Sequence, residues 1–116
     1  MTIRRLQVGP RMSQVVVHSG LAYLAGQVAP NPVPYVADQT RQILERIDAL
    51  LAEAGTDKSK ILSTNIWLAD IGTFAEMNSV WDAWVSPGNT PARATVEAKL
   101  ATPAYLVEIM VVAVTT

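Results

Sequence analysis

The chain has 116 residues, half of them hydrophobic and 16% charged, with a formal net charge of -1 and a pI near 5.7. This describes one ordered domain with a real core; it leaves no room for a second domain and no basic face of the kind nucleic-acid binders carry. There are no cysteines and a single histidine, His18, which excludes thiolate chemistry and disulfides and argues strongly against a zinc site.

The N-terminal stretch "MTIRRLQVGPRM" lacks the apolar core of a signal peptide, and no apolar run is long enough for a bilayer, so a cytoplasmic protein is expected. A short strand is possible at residues 3–7. "VVVHSGLAYLAGQV" predicts two strands, 14–18 and 21–27, joined by a tight turn at Ser19 and Gly20. "APNPVP" is a proline-punctuated loop. Val36, Ile43, Ile47, Leu50 and Leu51 then recur at helical spacing, predicting a helix over 35–54 that Gly55 stops. "ILSTNIWLA", residues 61–69, is rich in β-branched and aromatic residues and predicts a strand. Phe74, Met77, Trp81 and Trp84 line one face of a second helix ending before Pro87. Two last strands, 92–98 and 106–114, complete the order ββαβαββ.

Each helix lies between two strands, so right-handed crossovers put both on one face of a mixed α+β sheet. The opposite face should then alternate between apolar and polar residues, yet "VVVHSGLAYLAG" and "LVEIMVVAV" do not. Strands buried on both sides read this way. The second face is therefore expected to meet another subunit, as in a homo-oligomer.

Two charged residues stand out. In "NTPARATVEAKL", period two puts Arg93, Thr95 and Glu97 on one side and Ala94, Val96 and Ala98 on the other. Arg93 is either half of a structural ion pair or a clamp for a ligand carboxylate, which its planar fork matches bidentately. Glu108 interrupts an otherwise apolar strand, and a buried lone carboxylate is costly unless paired or hydrogen-bonded. It is either ion-paired, with Arg93 or Lys99 of a neighbouring strand or subunit, or it holds a water for reaction. Which face it occupies is open. Thr95 is a strand residue that can hydrogen-bond a substrate. Glu97 reads as solvated or interfacial, His18 as a polar residue beside a turn, and Trp67, Trp81 and Trp84 as core or interface mass. The glycines of "GLAYLAG" match no phosphate-binding loop, since no helix follows them.

"PARATVEAKLATPAYLVEIMVVAV" resembles the C-terminal signature of the RidA/YjgF family of imine deaminases. "AGQVAP", "QTRQILERIDALLAEAGTDKSKIL" and "FAEMNSVWDAW" extend the similarity over nearly the whole chain. The resemblance implies a chorismate-mutase-like α+β fold, a homotrimer with inter-subunit clefts, and no cofactor. It implies hydrolysis of 2-imino acids, such as 2-iminobutanoate and 2-iminopropanoate, to 2-keto acids and ammonia. On the matching positions, Arg93 falls on the carboxylate-binding arginine and Glu108 on the glutamate associated with the hydrolytic water. Gly26 falls in an "SGQ"-like loop lining the cleft, Thr95 on a position whose backbone contacts water or substrate, and Asn89 near the asparagine before Pro-x-Arg. Thr95 replaces the cysteine of many members, Ala25 the serine of "SGQ", and Arg11 a tyrosine; "RMS" and "WDAW" look closer to the YoaB-like branch. Alternative activities are non-catalytic binding of small carboxylates, a chaperone-like role and, disfavoured by the acidic balance, an endoribonuclease.

Overall fold

The computed structural model describes residues 2–116. In chain order the elements are β1 (Arg4–Val8), β2 (Ser13–His18), β3 (Leu21–Leu24), α1 (Val36–Glu53), β4 (Ile61–Leu68), α2 (Phe74–Trp84), β5 (Ala92–Glu97) and β6 (Val107–Val114). The strands form one mixed sheet in the order β1-β2-β3-β6-β4-β5, with β4 and β5 parallel and all other neighbours antiparallel. The two helices pack together on one face, giving the expected α+β architecture with the additional N-terminal strand realised as β1.

Local chemistry accounts for the joints. Ser19 and Gly20 both take positive φ, 52° and 78°, as a two-residue hairpin turn matched to sheet twist requires. α1 ends where Gly55 turns left-handed at φ 85° and Thr56 N–H closes back onto Leu51 O at 2.9 Å. Its N-terminus has no cap from its own chain neighbour Tyr35; Glu76 of α2 supplies one by accepting from Ala37 N–H at 2.9 Å. The strand expected to run to Gln27 stops at Leu24. Gln27 rejoins the sheet alone, exchanging both backbone hydrogen bonds with Ile109. Between these points the backbone bends away at Ala25 and Gly26.

The core lies under the helices. Ile43, Leu44, Ile47, Leu50 and Leu51 of α1 and Met77 and Trp81 of α2 meet Ile66, Leu68, Ile109 and Val111 of the central strands. Burial in β6 alternates strictly, with Val107, Ile109, Val111 and Ala113 buried and Glu108, Met110, Val112 and Val114 half-buried. The second set belongs to the open face, away from the helices. Register brings Val16, Tyr23, Val112 and Trp67 onto that same face alongside Ser63, Asn65 and Glu108, so it has an apolar centre only partly covered within one chain; Tyr23 is 45% exposed and Val96 51%. Among the described residues, no helix is long and apolar enough to cross a membrane.

Candidate functional site

β5 is an edge strand held by β4 in parallel register, with Thr64 opposite Arg93, Ile66 opposite Thr95 and Leu68 opposite Glu97. Thr64, Ile66 and Leu68 are buried beneath the helices, so Arg93, Thr95 and Glu97 share the helix face. Glu97 is explained there: its carboxylate accepts from Ile71 N–H at 3.0 Å, just ahead of α2. Arg93 has a more unusual setting. Its guanidinium carbon lies 5.2 Å from the centre of the Trp81 ring and 5.8 Å from that of Phe74. Two aromatic faces thus hold the cation without taking up its N–H groups. The one ion pair among the described residues joins Arg41 to Asp38, so Arg93 has no carboxylate partner there.

Three buried side-chain polar atoms lack a hydrogen-bond partner among the described residues: Thr64 Oγ1, Thr95 Oγ1 and Asn78 Oδ1. All three lie on the elements packed around Arg93. Thr64 and Thr95 share its face of the sheet, and Asn78 lies on α2 between the two residues whose rings hold it. Asn78 is the functional candidate that sequence reasoning missed; the signal was a polar residue within the apolar run "FAEMNSVW". Asn89 is a different case. It is exposed in the loop after α2, and its amide donates to Ser86 Oγ at 3.1 Å and Pro87 O at 3.4 Å. It fastens its own turn.

Glu108 occupies the opposite face of the sheet, beside Trp67. An ion pair with Arg93 inside one chain is therefore ruled out: β4 separates their strands, and the two side chains leave the sheet in opposite directions. Lys99 lines the same depression of about 250 Å³ as Trp67 and Glu108, without pairing to the carboxylate. Burial raises the Glu108 carboxyl above its ordinary range, because loss of water disfavours the charged form.

Gly26 is brought to Glu108. A Cβ on residue 26 would stand 3.0 Å from the Glu108 carboxyl carbon and well inside contact distance of its Oε2. A side chain here would have to push the end of Glu108 aside, so it is close approach, not backbone angles, that favours glycine. Gln27 fastens this loop: besides its backbone exchange with Ile109, its amide donates to Gln14 Oε1 and Ala25 O, each at 2.9 Å. The Gly26 N–H itself makes no hydrogen bond among the described residues. Ala25 N–H donates to Gln14 O, which puts the exposed turn carrying Arg11 at the same end of the sheet. His18 lies elsewhere: it shares the open face but sits opposite Leu21, and through it beside Val114, at the far end of β6.

The predicted residues thus divide into Arg93 with Thr95 on the helix face, Glu108 with Gly26 on the open face, and Asn89 apart from both. Comparisons with known proteins agree with the fold. A RutC family protein of Haemophilus influenzae is 47% identical over 97% of this chain and 98% of its own length. The RutC family protein YoaB of Escherichia coli is 46% identical over 97% of this chain and 98% of its own. A crystal structure of a YjgF family member from Neisseria meningitidis superposes with a TM-score of 0.97 at 49% identity, covering 100% of this chain and 97% of that one. The family model described as Endoribonuclease L-PSP matches residues 2–115, and the chain belongs to this family, the one whose members carry the RutC and YjgF names.

Proposed function

We propose that this protein hydrolyses reactive 2-imino acids, 2-iminobutanoate and 2-iminopropanoate among them, to 2-keto acids and ammonia, in clefts between the subunits of a homotrimer. The observation that carries the reading is Arg93: a guanidinium held between two aromatic rings, with no acidic partner among the described residues. Its fork is free to take a carboxylate with two parallel hydrogen bonds. The imine carbon beside that carboxylate is already electrophilic, so orientation and a positioned water suffice for attack.

Glu108 is the group suited to that water. Its raised pKa makes it a better proton acceptor than an ordinary carboxylate while leaving it ionised above that raised value. In the proposed step the water oxygen bonds to the imine carbon as Glu108 takes its proton. That proton passes to nitrogen to give a carbinolamine; its hydroxyl proton then also goes to nitrogen through Glu108 as the C=O double bond forms, the C–N bond breaks, and ammonia leaves a keto acid behind. Gly26 lets the backbone approach this carboxylate and offers an N–H to the reacting group. Arg93 and Glu108 leave opposite faces of one sheet, so a ligand touching both takes Arg93 from one subunit and Glu108 from another. The apolar open face supports such assembly, since large exposed apolar areas mark contact surfaces.

The test is formation of keto acid and ammonia from imines generated in situ by a dehydratase, with and without the protein. Acceleration is expected. Binding of 2-oxobutanoate without acceleration would favour a second reading, a carboxylate-binding or chaperone-like protein, which the support of Arg93 by Phe74 and Trp81 of its own chain favours. The ribonuclease activity named in the family description is opposed by the net charge of -1. A steep salt dependence of RNA affinity would restore it.

A further inference from the structure

Thr64 is the most deeply buried of the three polar side chains around Arg93 that lack a partner, at 2% exposure. It sits in a central part of β4 where valine has the same shape and needs no hydrogen bond. Leaving a buried hydroxyl unpaired is unfavourable, so a lone one can be dismissed as tolerated, but three around one arginine form a pattern. Cross-strand register puts Thr64 directly against Arg93 and Thr95 two residues further along the same face. Helix spacing puts Asn78 one turn beyond Phe74 and one turn before Trp81, the residues whose rings hold the guanidinium. The same short region therefore contains unused acceptors and a guanidinium rich in unused donors.

We infer that Thr64 is a positioning residue for Arg93, its hydroxyl joining Thr95 and Asn78 in holding one internal water against the inner side of the guanidinium. Such a water needs two to four polar partners, and the site supplies three together with an arginine N–H. The rings of Phe74 and Trp81 hold the cation but accept none of its N–H groups, so they do not set which way those groups turn. A hydrogen-bonded water fixes that orientation, and with it the direction in which the outer N–H pair faces a carboxylate. Thr64 touches no ligand in this arrangement; it acts through Arg93. The inference rests on the reading of Arg93 as the carboxylate clamp for its effect on binding, but not for its effect on Arg93 itself.

Two measurements separate these levels. The first is the Arg93 side-chain Nε–H signal in a nitrogen-correlated NMR spectrum of the ligand-free protein, assigned by its absence in Arg93→Lys. The second is 2-oxobutanoate affinity by calorimetry. Thr64→Val is expected to fold and assemble normally, broaden or shift the Arg93 signal, and weaken 2-oxobutanoate binding roughly threefold to tenfold, the loss of one neutral hydrogen bond. Thr64→Ser should restore both. If Thr64→Val leaves the Arg93 signal unchanged, the hydroxyl is merely tolerated and the inference falls. Should the valine variant fail to fold, Thr64→Ser and Thr64→Ala, which both lack the methyl group, give the same comparison: an equal Arg93 signal in the two overturns it. A changed Arg93 signal in a protein that does not bind 2-oxobutanoate would sink the carboxylate-clamp reading while leaving the role of Thr64 intact.

Discussion

The two faces of the sheet use their polar residues in opposite ways. On the helix face, Arg93, Thr95, Glu97 and Thr64 lie beneath or beside α2, and the arginine is braced by Trp81 and Phe74 of the same chain. On the open face, Glu108 meets a loop through the close approach of Gly26 and shares a depression with Trp67 and Lys99. The first environment draws its aromatic support from one chain. The second still has an apolar surface to bury, and burial has already raised the Glu108 pKa before any further surface closes over it. Under the proposed function, a ligand reaching both residues would have to lie where the helix side of one subunit meets the open face of another.

The most severe way to break the open face alone is to charge it. Val112→Lys introduces an ammonium in the middle of the apolar strand beside Tyr23. It should abolish assembly and all turnover, since an unpaired charge is not buried in an interface. Sedimentation is the measurement. A wild-type protein that is already a stable monomer at micromolar concentration would remove the reason for the open face being apolar.

Next in size is the helix face. Arg93→Ala should leave assembly intact and weaken 2-oxobutanoate binding by roughly two to four decades, the loss of two charge-assisted hydrogen bonds. Arg93→Lys should recover little, because an ammonium has the charge without the planar fork. Calorimetric affinities of the two variants decide it; near-normal binding by the lysine variant would mean that charge alone matters.

Glu108→Gln and Gly26→Ala probe the open face more gently. The amide accepts no proton, so turnover should fall on the order of 100-fold while 2-oxobutanoate still binds. Gly26→Ala should produce a similar loss by displacing the Glu108 carboxylate, with little change in Tm because the displaced group is the end of a flexible side chain. Steady-state kinetics alongside thermal melts test both; a fully active alanine variant would show that the Gly26–Glu108 approach is incidental.

The smallest effect is on stability. A carboxyl whose folded pKa lies above its unfolded value binds the proton more tightly in the native state. Native protein then holds more protons between the two values, so stability falls as pH rises through that window. Below the ordinary carboxylate pKa the penalty is absent. Glu108→Gln should therefore melt slightly higher than wild type above the raised pKa and equally below the ordinary one. Melting curves across acidic to neutral pH would show it, and an offset independent of pH would assign the effect to packing.

Sequence alone determined the elements, because hydrophobic spacing and turn chemistry are local. Helical spacing located α1 and α2, the Ser19-Gly20 pair located the hairpin, and the missing polar alternation in β2, β3 and β6 announced a second face needing cover. It also singled out Arg93 and Glu108 as charges out of place. What it could not decide was direction. A period of two says which residues share a side of a strand, but not which side lies under the helices, and that depends on strand order and register. Only the placement of β4 between β5 and β6 shows that Arg93 and Glu108 point away from each other. The same holds for the asparagines. Asn89 stands closer to Arg93 along the chain, yet its amide is spent on its own turn. Asn78 belongs to the helix whose Phe74 and Trp81 meet Arg93, a juxtaposition that arises only when distant segments pack.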